Sequence, residues 1–319
     1  MVPEEQVRMA YRLIFGREPE NEKVVRGLAE GSRDLPVLRG RMFSSPEFAA
    51  RIGELAETLR AHAPLNWPPM QVDLAATEPD VAAMIERTAA LFRDLGRSEP
   101  YWSVVAEDRF RSDRIGETLE EFIASGQGVV QDFVAVADRC GIDVASLRSC
   151  CELGCGTGRS TLWLAELFGQ VLGCDISPQH LDLAKSLFDQ RRVGNVKLQL
   201  ISGMNSIRRL PRYDAFFSII VLQHNAPPVI DFLLRELLGK LNQGGVGYFQ
   251  VPTYILRYSF RTADYLLQDA VSGRPEMHAL PQDRMLGLIA ECGCELLEIR
   301  EDNAAGANAI SNRVLVRKK

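Results

Sequence analysis

The 319-residue sequence predicts an α/β fold: a seven-stranded, mostly parallel sheet with an antiparallel hairpin at its C-terminal edge, preceded by a small all-α module. Three observations predict it. From residue 148 onward, apolar runs with little alternation are separated by amphipathic stretches, the pattern of a parallel sheet covered on both faces. The last two apolar runs follow each other without a helix, which predicts an antiparallel hairpin. The first 62 residues carry helical periodicity only.

Taken in order, Pro3 opens a helix whose apolar face is Val7, Tyr11, Ile14 and Phe15, and which Gly16 ends. "NEKVVRGLAEG" and "LPVLRGRMF" are further helices, and "SSPEFAARIGELAETLRA" a fourth, with Ser45 as cap and Pro46 in its first turn. These make a module over 1–62. The proline-rich "HAPLNWPPMQVD" reads as a linker, taken as 63–75. A helical segment over 76–147 is expected to precede and cover the sheet domain of 148–319. It holds a helix over 77–96, capped by Thr77 and ended by Gly96, then the aromatic stretch "EPYWSVVAEDRF". Two helical patterns in 115–140 follow, separated by "SGQG". The predicted strands are "SCCEL", "VLGCDI", "VKLQLI", "YDAFFSIIVL", "GGVGYFQV", "CELLEIRED" and "NRVLVRK". The predicted helices of this domain are 158–168, 178–191, 228–240 and 282–292.

A net charge of −5 argues against a nucleic-acid surface. The first residues lack the basic start and apolar core of a secretory signal, and no apolar run approaches the roughly 18 residues of a membrane span. A cytoplasmic protein is expected, with its seven cysteines reduced. Cys150, Cys151 and Cys155 are either small buried hydrophobes or a zinc cluster. Their spacing fits no common zinc pattern, so no metal is expected.

The stretch "CCELGCGTGRSTLWLAELFGQVLGCDIS" carries the chemistry. Gly154, Gly156 and Gly158 follow a strand and open a helix, where bare backbone can turn sharply and approach a ligand. Asp175 ends the next strand, 17 residues after Gly158, and a carboxylate there can accept hydrogen bonds from both hydroxyls of a ribose. A nicotinamide cofactor wants G-x-G-x-x-G. Here Arg159 follows Gly158, which disfavours an oxidoreductase.

"CELGCGTG" with "GCDIS" resembles the cofactor site of class I S-adenosylmethionine-dependent methyltransferases, which have a Rossmann-like fold. The resemblance covers roughly residues 100–319, including "YDAFFSIIVLQHN" and "LNQGGVGYFQVP" as that family's fourth and fifth strands. It implies S-adenosyl-L-methionine as cofactor. Glu152, with Leu153, would hold the methionine ammonium end, and Gly154, Gly156 and Gly158 would line the methionine portion. Asp175 would clasp the ribose, Ile176 would pack on the adenine, and Gly203, Met204 and Gln223 would complete the site. No acidic residue stands near Gly203, where many relatives have one. The phrase "YRLIFGREPENE…LRGRMFSSPEFAAR" resembles a small helical domain found beside bacterial glycan-modifying and methyl-transfer domains, which implies docking to a protein partner or assembly.

Methyl transfer to a hydroxyl needs a base, and four histidines are present. His62 in the linker and His180 at a helix start read as surface residues. His224, at the end of "SIIVLQHN", is either a base or substrate contact, or a structural histidine bonding to the following turn. His278, in "RPEMHALPQ", is either a second base candidate or a loop residue. The stretch 252–281 is rich in Tyr and Arg. Tyr254, Arg257 and Tyr258 belong either to a wall over the acceptor or to a solvated helix, and Tyr101 and Trp102 either close the other side or anchor the core. The leading expectation is methylation, at oxygen, of a small molecule or glycan. A scaffold protein with a methyltransferase fold is the alternative.

Overall fold

The computed structural model describes residues 1–50, 67–268, 273–302 and 304–319. The chain forms two compact units, Met1–Pro68 and Pro69–Lys319.

The first unit holds helices Glu4–Phe15, Glu22–Glu30 and Leu35–Phe43. Gly16 ends the first in the left-handed region, at φ 66°. Asn21 and Asp34 cap the next two by accepting from Val24 N and Val37 N, and Ser45 Oγ accepts from Phe48 N where a fourth helical stretch begins. Val7, Tyr11, Phe15, Val25, Ala29, Leu38 and Met42 pack as its core. The remainder of the predicted fourth helix, His62 and the start of the predicted linker lie outside the described residues.

The second unit is built on β2 (Ser149–Leu153), β3 (Gln170–Asp175), β4 (Val196–Leu200), β5 (Tyr213–Ser218), β6 (Leu241–Ile255), β8 (Cys294–Asp302) and β9 (Ala309–Lys318). Their spatial order is β4-β3-β2-β5-β6-β9-β8. All neighbours are parallel except β9, which runs antiparallel to both β6 and β8. This is the Rossmann-like sheet the sequence predicts. The chain runs outward from β2 to β4 and returns to β5 on the other side of β2, so order reverses at β2.

Both sheet faces are covered, which explains the continuous apolar runs. Cys151, Leu153, Phe216 and Phe249 face a core shared with helices Glu78–Ser98, Pro227–Gly239 and Gln282–Glu291. Cys150, Phe217 and Tyr248 face the other core, with Phe133 of helix Ile115–Arg139 and Leu164 of helix Thr161–Leu167. Cys150, Cys151, Cys155, Cys174 and Cys294 are buried. Among the described residues no helix is long and apolar enough to cross a membrane.

Four expectations need correction. The predicted linker reaches into the second unit: β1 (Gln71–Val72) pairs in parallel with β7 (Ser259–Phe260). The "SGQG" stretch does not break 115–140, which is one helix, Ile115–Arg139. A Cβ on Gly126 would collide with the carbonyl of Arg159, so this glycine permits close approach rather than a turn. Gly96 likewise lies inside helix Glu78–Ser98, where a side chain would strike Ser177 Oγ. Finally, "YDAFFSIIVL" leaves the sheet after Ser218. Ile220 has φ 60°, a strained conformation for a β-branched residue, and Leu222–His224 form a 3-10 turn.

Candidate cofactor and acceptor site

β2 ends at Leu153, and Gly154, Gly156 and Gly158 follow with φ of 75°, 53° and 87°. Side chains are disfavoured there by backbone and by space alike. A Cβ on Gly156 would stand 2.7 Å from Val104 Cγ2, and one on Gly158 2.7 Å from Phe188 Cζ. Gly158 thus lets helix Pro178–Arg191 pack against the loop.

Asp175, at the end of β3, is 7% exposed. Its Oδ2 accepts from Gly156 N at 2.9 Å and its Oδ1 from Ser177 N at 2.8 Å. The carboxylate therefore braces the glycine loop while lining a pocket. Glu152, Leu153, Gly154, Gly156 and Ile176 line the same pocket, as do Ile201, Ile207, Phe92, Val104, Ile220 and His224. Glu152 is buried, and its Oε2 accepts from Thr161 Oγ1 at 2.5 Å. Burial pushes its pKa up to about 7, against the opposing pull of Thr161 and Arg159.

Other predicted residues fall elsewhere. Gly203 and Met204 line a separate surface hollow with Glu78 and Arg208. Gln223 is buried, and its Oε1 accepts from Gln250 Nε2 at 3.0 Å. Tyr101 meets Phe122 edge-on at 5.3 Å, and the Arg111 guanidinium covers the Trp102 ring at 4.6 Å. Their neighbours Ser103 and Val104 reach the pocket instead. Tyr254 pairs with Ile310 in the β6–β9 ladder, and Arg257 turns the chain at φ 60°.

Tyr258 and His278 belong to a polar cluster centred on Glu276. His278 Nδ1 lies 2.7 Å from Tyr258 Oη, and its Nε2 3.2 Å from Glu276 Oε2. Tyr265 Oη donates to the same carboxylate at 2.6 Å, and Arg87, from helix Glu78–Ser98, donates at 2.7 Å. His278 first, then Tyr265 and Arg87, hold the Glu276 pKa down at about 2. The backbone of Glu276 serves His224, whose Nδ1 lies 2.9 Å from the Glu276 carbonyl oxygen. A carbonyl can only accept, so Nδ1 carries the proton and Nε2 the lone pair. Gln223 Nε2 stands 3.4 Å from that atom, a long contact. Burial lowers the His224 pKa, which keeps the ring neutral.

His180 is not the surface residue its position suggests. It is 2% exposed and lines the pocket, with Nε2 2.9 Å from Ser103 Oγ and Nδ1 3.5 Å from Asp175 Oδ1. Ser103, Arg159 and Glu276 also escaped the sequence reading. For Arg159 the signal was its place directly after the third glycine. Ser103 comes from a segment remote in sequence and gave none, while Glu276 was visible only as a neighbour of His278, two residues away.

Residues 151–245 match the family described as a methyltransferase domain. Over these residues, β2 to the start of β6, the chain is similar to that domain. A curated relative, an uncharacterized protein of Rickettsia prowazekii, is 26% identical over 104 residues, a match that spans 32% of this chain and 42% of that protein. Among solved structures, the magnesium protoporphyrin IX methyltransferase from Synechocystis with bound S-adenosylmethionine is 16% identical, with a TM-score of 0.48, over 73% of this chain and 97% of its own. TehB from Haemophilus influenzae is 17% identical, with a TM-score of 0.44, over 58% of this chain and 62% of its own.

The pocket suits a nucleoside cofactor on physical grounds. A purine nucleoside needs apolar walls and a ribose acceptor, which Ile176, Ile201 and Asp175 offer in one pocket. Among the described residues the buried Glu152 carboxyl has the Thr161 hydroxyl as its hydrogen-bond partner and feels the Arg159 charge from farther off, and a ligand ammonium would add a direct one.

Proposed function

We propose that the protein transfers a methyl group from S-adenosylmethionine to a hydroxyl oxygen of a small molecule or glycan, with His224 as general base. The observation that carries this reading is the orientation of His224: its Nδ1 proton is committed to the Glu276 carbonyl, and the ring lines the cofactor pocket. In this reading Glu152 and the backbone of Leu153, Gly154 and Gly156 receive the methionine end, Asp175 the ribose and Ile176 the adenine. The bound cofactor supplies an activated methyl sulfonium. The protein's share is to hold the acceptor in line, to exclude water with apolar side chains such as Phe92 and Val104, and to take the hydroxyl proton on His224 Nε2. The N-terminal helical unit is assigned to docking or assembly rather than chemistry.

Screening hydroxyl, amine and acid acceptors with labelled cofactor tests the reaction. With an accepted substrate, His224→Ala should lower turnover by on the order of a hundredfold, with cofactor affinity unchanged. His224→Asn can keep the bond to Glu276 but cannot take a proton. Full turnover in that variant would remove His224 as the base. Because burial lowers its pKa, wild-type turnover should persist as pH falls through about 6.5, the ordinary histidine value, and be lost only below it.

A further inference from the structure

Arg87, on helix Glu78–Ser98, ties together three points of the chain that follows β7. Its Nη1 donates to the carbonyl oxygens of Tyr265 and Gln268 at 3.0 and 2.7 Å, and its Nη2 to Glu276 Oε1 at 2.7 Å. The guanidinium also stands 4.2 Å over the Tyr265 ring. The Arg87 and Glu276 side chains are 14% and 20% exposed, so salt and water screen this pair less than a surface pair. The other carboxylate oxygen of Glu276 is taken as well. Tyr265 Oη donates to Oε2, and His278 Nε2 lies 3.2 Å from it. A carboxylate accepts, so His278 carries its proton on Nε2, and its Nδ1 accepts from Tyr258 Oη at 2.7 Å.

This grip bears on the backbone of the same residue. The Glu276 carbonyl accepts from His224 Nδ1 at 2.9 Å, and two residues on, His278 N donates to the Gln223 carbonyl at 2.8 Å. Helix Glu78–Ser98 also lines the pocket through Ile85, Thr88 and Phe92, and the Phe92 ring lies 5.7 Å from the His224 ring. One helix therefore supplies a wall of the pocket and anchors the residue that holds the histidine. Which nitrogen of a neutral imidazole carries the proton is set by the hydrogen bond that the ring makes.

We propose that Arg87 and Glu276 are positioning residues for His224: their ion pair keeps the Glu276 carbonyl against the ring, and so keeps the proton on Nδ1 and the lone pair on Nε2. The inference rests on the reading of His224 as the base and adds the pair that prepares it. Arg87 suits this task because its planar fork reaches a carboxylate and two carbonyls at once, which a single ammonium cannot do.

Proton–nitrogen correlation spectra of the imidazole rings in ¹⁵N-labelled, ligand-free protein read the tautomer directly, and His224→Asn identifies the His224 signals. Wild-type His224 should be protonated at Nδ1. Arg87→Met and Glu276→Gln should each shift the tautomer ratio toward Nε2 protonation by about fivefold or more, the scale of one hydrogen bond. Arg87→Lys should recover part of the wild-type ratio, since it returns the charge but not the fork. Wild-type His224 protonated at Nε2 overturns the proposal. So does an unchanged ratio in Arg87→Met, which would mean that the bond from His278 N to Gln223 holds the carbonyl without the ion pair. Should Arg87→Met fail to fold, as read by circular dichroism, Glu276→Gln and Arg87→Lys decide in the same way. Full turnover by His224→Asn would remove the base and with it the purpose of the pair, whereas an unmoved tautomer would remove the pair and leave the base.

Discussion

Asp175 has two duties that one variant pair can separate. Its oxygens accept from Gly156 N and Ser177 N at 2.9 and 2.8 Å, so the side chain holds the glycine loop and the start of helix Pro178–Arg191 together before any ligand arrives. In Asp175→Ala both amides lose their acceptor. Each buried donor left without a partner costs about 1–3 kcal/mol, and the open pocket lets water recover part of that. We expect a loss of about 2–4 kcal/mol, which for a unit of this size is a fall of roughly 4–16 °C in melting temperature. Asp175→Asn keeps one acceptor oxygen but turns a donor toward the other amide, so it should fall between. Differential scanning calorimetry of the ligand-free protein reads this loss, and titration with S-adenosylhomocysteine reads the ribose contribution separately. If Asp175→Ala melts within 2 °C of wild type and still loses cofactor affinity, the brace contributes nothing and the side chain serves the ligand alone.

Glu276 has a pKa held at about 2, below its ordinary 4.5, so its contribution to stability is present above pH about 4.5 and lost as pH falls toward 2. Glu276→Gln should flatten that part of an acid-unfolding curve. Glu152 has the opposite sign: its pKa of about 7 means ligand-free stability should decline as pH rises from about 4.5 to 7, and Glu152→Gln should abolish the decline. Gly158→Ala combines φ 87° with a Cβ 2.7 Å from Phe188 Cζ, and should destabilise the protein by about 1–3 kcal/mol in a denaturant titration. Deleting residues 1–68 should leave cofactor affinity within about threefold, as read by calorimetry.

What the sequence made legible is what local chemistry dictates. Three glycines at positive φ, an acid closing the next strand and seven apolar runs all follow from backbone rules that need no partner segment. What it hid depends on which distant segment arrives. Gly126 inside a helix reads as a break until the Arg159 carbonyl is known to lie against it. His180 sits in the first turn of an ordinary capped helix, and its partner Ser103 lies 77 residues earlier in the chain. His224 was visible as a candidate, but its tautomer is fixed by the carbonyl of Glu276, 52 residues later. The end of "YDAFFSIIVL" was misjudged because Ile219, Ile220 and Val221 have every strand propensity, and the strained turn at Ile220 is imposed by tertiary structure, with its amide held by Gln250 Oε1 at 3.0 Å.

The placement of β9 has a consequence for biosynthesis. β9 is made after β8 yet lies inside the sheet, between β6 and β8. While a ribosome is still translating it, β6 has an unpaired edge and β8 no neighbour to join. At about 5–20 residues per second that exposure lasts on the order of a second or more. A nascent chain stalled before residue 309 would present a long apolar edge to chaperones and to other chains, with its glycine loop already synthesised but its sheet unfinished.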